Sequence, residues 1–105
     1  NAACTYPKAP EKIPDGGTAT LEEMIAAQRG VKQFDADITA YQNCLETEFN
    51  DAMSKETSLT EEQKKERRKI VDQKMNAAVD EAQGLADRLN AQIRVYKEKA
   101  AAKKN

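Results

Sequence analysis

The chain is predicted to be all-α: a long antiparallel, coiled-coil-like two-helix hairpin, with an extended Pro-rich N-terminal arm folded back along helix 1. Three observations predict it. Ala, Glu, Lys, Gln and Leu, all strong helix formers, dominate the composition, while aromatic residues are only 5%. Apolar residues recur with a heptad period in two long stretches. All three prolines fall within the first 14 residues. At 105 residues the chain is one domain, divided into an arm (1–19) and a hairpin (20–105). Hydrophobic residues make up 39% and charged residues 33%, enough for a seam between helices but thin for a globular core.

The arm comes first. Pro7, Pro10 and Pro14 remove amide donors and favour polyproline II. Asp15-Gly16-Gly17 is a turn signal. Thr18 or Thr20 can then cap a helix whose first turn carries Glu22 and Glu23, which suit the positive helix end.

Helix 1 is expected over about 20–54. Met24, Val31, Ile38, Leu45 and Ala52 repeat every seventh position, and Ala27, Phe34 and Tyr41 fill the complementary slots. Glu48 interrupts that second series and Phe49 supplies the apolar group beside it. Lys55 to Leu59 reads as a polar turn. One uninterrupted helix is the alternative, because 55–60 contain neither Gly nor Pro.

Helix 2 is expected over about 60–102, opened by a capping box in Thr60-Glu61-Glu62-Gln63. Its seam runs through Val71, Met75, Ala78, Ala82, Leu85, Leu89 and Tyr96, with Gln92 interrupting and Ile93 beside it. Lys99, Lys103 and Lys104 suit its negative end. A fold near residue 57 sets Gly30 opposite Gly84, which suggests a close backbone approach or room for a third segment. Helix 2 should overhang, so Val95 and Tyr96 need cover from the arm.

Cys4 and Cys44 are the two cysteines. Cys44 lies roughly 36 Å along helix 1 from Thr20, and an extended arm reaches about 50 Å. An intramolecular disulfide is therefore within reach. It would set Tyr6 and Ile13 over the groove, Ile13 near Ala27 and Gly30, and would indicate an oxidising compartment. Intermolecular bridging and free thiols remain open, as does a lipid-attachment signal at Ala2-Ala3-Cys4, whose Asn1 is wrong for the usual Leu.

Charge and motifs exclude several function classes. Net charge is −1, with no global bias toward nucleic acid. The halves differ: residues 21–57 hold eight acids and three bases, residues 58–105 twelve bases and eight acids. That asymmetry suits pairing across a hairpin seam. No apolar run of about 18 residues marks a transmembrane helix. There is no histidine, so Ser-His and Cys-His nucleophiles and the common zinc sites are excluded. Asp35, Asp37, Thr39 and Glu46 mimic a calcium loop, but Ala40 stands where that loop needs Gly, and the heptad runs through it. No catalytic residue, metal site or cofactor is expected.

Lys64, Lys65, Arg67, Arg68 and Lys69 form the densest basic run and are candidate anion contacts. No aromatic is interleaved for base stacking. The competing reading is a solvated helix face opposite Glu46, Glu48 and Asp51.

Pro7-Lys8-Ala9-Pro10-Glu11-Lys12-Ile13-Pro14-Asp15-Gly16, Glu23-Met24, Val31-Lys32-Gln33-Phe34 and Tyr41-Gln42-Asn43-Cys44-Leu45 together resemble a group of small helical proteobacterial proteins made with signal peptides. The resemblance covers roughly residues 4–48. It implies export to the periplasm or medium, and an arm cysteine matched by one in helix 1; it brings no activity. The first residue is not Met, which agrees with the expectation of a removed leader. The expected function is that of a non-catalytic exported protein acting through protein–protein contacts, with an unknown partner; a two-helix seam leaves apolar edges, so antiparallel homodimerisation into a four-helix bundle is a candidate. The alternative is an envelope adaptor or stress factor that binds an anionic surface or polymer through helix 2.

Overall fold

The computed structural model describes residues 4–103. Ala2, Ala3 and Lys104, invoked above for lipid attachment and for the helix end, lie outside the described residues. The fold is all-α: α1 (Leu21–Lys55) and α2 (Glu61–Lys103) pack against each other as a two-helix hairpin. Its Cα extents are 71 × 24 × 15 Å.

Both helices start where their side chains can satisfy the first free amides. Thr20 caps α1: its hydroxyl accepts from the Glu23 amide at 3.1 Å, and the Glu23 carboxylate accepts from the Thr20 amide at 2.8 Å. Thr60 and Gln63 form the same reciprocal pair at 3.1 and 2.9 Å. Both are capping boxes, each cap contributing about 1 kcal/mol. Between them the backbone leaves the helix at Glu56, whose amide still donates to Ala52 O at 2.9 Å. The break needs no Gly or Pro, because the second box restarts the helix.

The arm folds back along α1 as expected and lies in the groove between both helices, touching each. Cys4 is bonded to Cys44 of α1, with Cα atoms 5.7 Å apart. The place where a Gly30 Cβ would stand is 3.7 Å from Pro10 Cγ. Six arm residues, about 19 Å of polyproline II, thus match fourteen residues of α1, about 21 Å of helix. On the other side the Tyr6 hydroxyl donates to the Glu81 carboxylate of α2. Ala9, Ile13 and Ala19 pack on the core.

That placement explains where the core sits. Met24, Val31, Phe34, Ile38, Leu45, Ala78, Leu85 and Leu89 are buried. Toward the connecting turn no described residue beyond Leu45 in α1, or before Ala78 in α2, reaches full burial. Cys4 joins α1 next to that limit. A third segment covers the seam on one side of it; on the other, two helices alone leave the seam half open. Val71 and Met75, predicted seam residues, are accordingly only partly buried.

Of the two purposes suggested for Gly30 and Gly84, room for a third segment holds at Gly30, which faces Pro10 of the arm; a mutual backbone approach does not form, and a Cβ on Gly84 would meet only the Arg88 side chain of its own helix. The turn predicted at Asp15-Gly16-Gly17 forms without a left-handed residue, since no described Gly has positive φ. Thr18 and Ala19 amides both donate to Asp15 O, at 3.1 and 2.8 Å, closing the turn. Gly16 is required for another reason. A Cβ there would overlap the Gln92 carbonyl oxygen and sit 2.8 Å from Tyr96 N.

Candidate interaction surface

Three features carry the sequence-predicted site residues or an equivalent role: the arm's anchors, the basic run and the groove left open. The arm is anchored at both ends. At one end is the disulfide between Cys4 and Cys44. A sulfur engaged there is not available for a thioether to lipid. At the other end the Gly16 amide donates to Gln92 Oε1 at 2.8 Å, and Lys99 Nζ donates to Gly17 O. Gln92 interrupts the seam of α2 because it holds the arm's turn. The turn covers the overhang in part: Tyr96 is half-buried, whereas Val95 stays exposed.

Tyr6 reinforces the disulfide end of the arm. Its ring meets Tyr41 edge-on, with centroids 5.2 Å apart. Burial, and then the hydrogen bond to Glu81, push its phenol up to about 12. The phenol is thereby kept neutral and donating to Glu81.

The basic run is largely used within the hairpin. Arg68 Nη1 stands 2.7 Å from Glu46 across the seam, its Nη2 stands 2.9 Å from Asp72, and its guanidinium lies 5.1 Å from the Phe49 ring centroid. Hydrogen bonds to Asp72 and Glu46 hold its proton more firmly still. Arg67 pairs with Glu56 at 2.6 Å, and Lys64 with Glu61 at 3.2 Å. Lys65 and Lys69 are exposed and form no ion pair among the described residues. The expected facing of Glu46, Glu48 and Asp51 holds at Glu46; Asp51 pairs with Lys55 at 3.1 Å instead. The calcium-loop mimic is plain helix: Thr39 Oγ1 donates to Asp35 O at 3.1 Å, and Gln33 donates to Asp37 at 2.9 Å. Among the described residues, no three His, Cys, Asp or Glu side chains cluster as a metal site, and no helix is long and apolar enough to cross a membrane.

The apolar edges expected of a two-helix seam have a definite place, a second groove that the sequence did not locate. A two-helix seam has two sides, and the arm fills one. The other is lined by α1 from Ile25 to Gln42 and by α2 from Val79 to Ile93. Ile25 and Val79 on its rim remain 37% and 44% exposed, beside buried Val31, Ile38 and Leu89 on its floor. The signal was present as apolar residues at 25, 79 and 93, one step off the assigned seam. No protein-family profile, curated protein or solved structure matches the chain.

Proposed function

We propose that this is a non-catalytic, exported helical protein that works through protein–protein contacts on the open groove of its hairpin. The observation that carries the reading is the exposure of Ile25 and Val79 above a floor of buried seam residues. A solvent-facing apolar groove on one side, with the other side sealed by the chain's own arm, has the form of a helix-binding surface. Export is supported by the Cys4–Cys44 bond, which persists in oxidising compartments. It is supported also by the resemblance of residues 4–48 to signal-peptide-bearing proteins. The use of Lys64, Arg67 and Arg68 in pairs within the hairpin favours protein contacts over binding of an anionic surface or polymer.

Site-specific photo-crosslinking in cells tests the reading. A crosslinker at Ile25 or Val79 is expected to give discrete protein adducts, and one at exposed Lys69 is expected to give none. Adducts from Lys69 alone, weakening steeply with added salt, would overturn it.

A further inference from the structure

The open groove is self-complementary, and we infer that its occupant is a second copy of this chain, docked antiparallel to form a four-helix core. The inference rests on the reading of that groove as the working surface. Three observations support it.

The first is that the chain's own loose segment is already used. The arm is held on the opposite side by the Cys4–Cys44 bond, by Gly16 on Gln92 and by Lys99 on Gly17. It cannot also cover this side.

The second is charge. Lys32 and Asp35 stand one turn apart on the α1 wall of the groove. Both are exposed, and neither forms an ion pair among the described residues. A two-fold axis crossing the helices between them sets Lys32 of each copy against the partner's Asp35, giving two reciprocal pairs. Docking the copies in the same direction instead sets Lys32 level with Leu89 and Asn90, the residues across the groove, where no acid lines it.

The third is shape. The α1 wall runs from Ile25 to Gln42, so its midpoint falls between Lys32 and Asp35. The α2 wall runs from Val79 to Ile93, with Ala86 at its midpoint. One axis therefore serves both walls. It places Ala86 against the partner's Ala86, where a small side chain lets helices approach closely, and sets exposed Val79 against the partner's Ile93. The strip is about 25 Å long on a body 24 Å across. That is the footprint of a modest dimer interface, roughly 600–800 Å² per partner. Four helices around one core also bury what two leave half open.

Sedimentation equilibrium over micromolar to millimolar protein tests the inference. The native chain is expected to move from 11.7 kDa toward twice that mass. Lys32→Glu and Asp35→Lys, both at exposed sites, are each expected to weaken self-association at least about tenfold. An equimolar mixture of these two variants is expected to dimerise again. In the mixed dimer the introduced carboxylate of one chain meets the introduced amine of the other, and the two unaltered side chains, Lys32 and Asp35, still face each other. Val79→Glu is expected to remain a monomer with unchanged helix content. A native chain that stays monomeric throughout would overturn the inference, and so would a mixture that recovers no dimer. Crosslinked adducts at Val79 to a different protein, with a monomeric native chain, would leave the groove reading standing and remove self-association. Neither dimer nor adduct would remove both.

Discussion

Gly16 and Gln92 hold each other in two ways: the Gly16 amide donates to Gln92 Oε1 at 2.8 Å, and the Gly16 Cα lies where any side chain would overlap the Gln92 carbonyl. Gly16 is buried although it belongs to a turn. Gln92 occupies a seam slot that heptad logic would give to Leu. Gln92→Leu is therefore expected to destabilise despite its added hydrophobicity, by about 1–3 kcal/mol, because it strands the buried Gly16 amide. Gly16→Ala is expected to cost a similar amount, about 1–3 kcal/mol, through forced displacement of the turn. Urea denaturation midpoints measure both. A Gln92→Leu chain more stable than the native one would show that the contact is incidental.

The disulfide closes a loop across a sequence separation of 40. In the chain-entropy picture, that closure stabilises by roughly 4 kcal/mol. Cys44→Ser is expected to lower the melting temperature markedly while far-UV circular dichroism at low temperature keeps most of its helix signal, since the arm contributes none. Limited proteolysis should then cleave after Lys8 and Lys12 faster than in the oxidised chain. An unchanged melt would contradict the energetic role of the tether.

Gly84 is a helix-interior glycine with room: a Cβ there meets only Arg88 Nη1, at 3.6 Å, an ordinary contact with a flexible side chain. Gly84→Ala is expected to stabilise by about 1 kcal/mol from helix propensity, raising the melting temperature by roughly 4–8 °C. Gly30→Ala is expected to gain less, because the new methyl must share its space with Pro10 at 3.7 Å. Differential scanning calorimetry of the two variants checks the order.

Tyr6 gives the arm a dependence on alkaline pH. Burial and the Glu81 hydrogen bond raise its phenol from 10.0 to about 12. The folded state therefore favours the neutral form. Its contribution is complete below the unfolded phenol's value and is lost as pH climbs through about 12. Ultraviolet titration of phenolate absorbance is expected to show Tyr6 ionising late, and earlier in the Glu81→Gln chain.

Helix 1 was legible because its pattern is local. Met24, Val31, Phe34, Ile38 and Leu45, predicted from the heptad alone, are all buried; the capping box predicted at Thr60 forms, and of the two candidate caps of α1 it is Thr20 that serves. Helix 2 was harder. Its seam residues Ala78, Leu85 and Leu89 are buried, but Val71 and Met75 lie past the arm's reach, and burial there depends on a segment some seventy positions earlier. A similar distance, 76 positions, hid the purpose of Gln92, which holds Gly16. The arm's course follows from anchors at Cys44, Glu81, Gln92 and Lys99, and no periodicity encodes those. The open groove was legible in kind but not in place: two helices alone leave apolar edges, but a heptad assignment names one seam and does not say which of its two sides the arm covers.

The clamped arm is best tested by non-reducing peptide mapping of the folded monomer, with free thiols blocked before digestion. A single cross-linked species joining the Cys4 peptide to the Cys44 peptide, recovered from a chain of 11.7 kDa, is the expected result. Two blocked thiols in the folded chain, or a linkage found only in a covalent dimer, would contradict it.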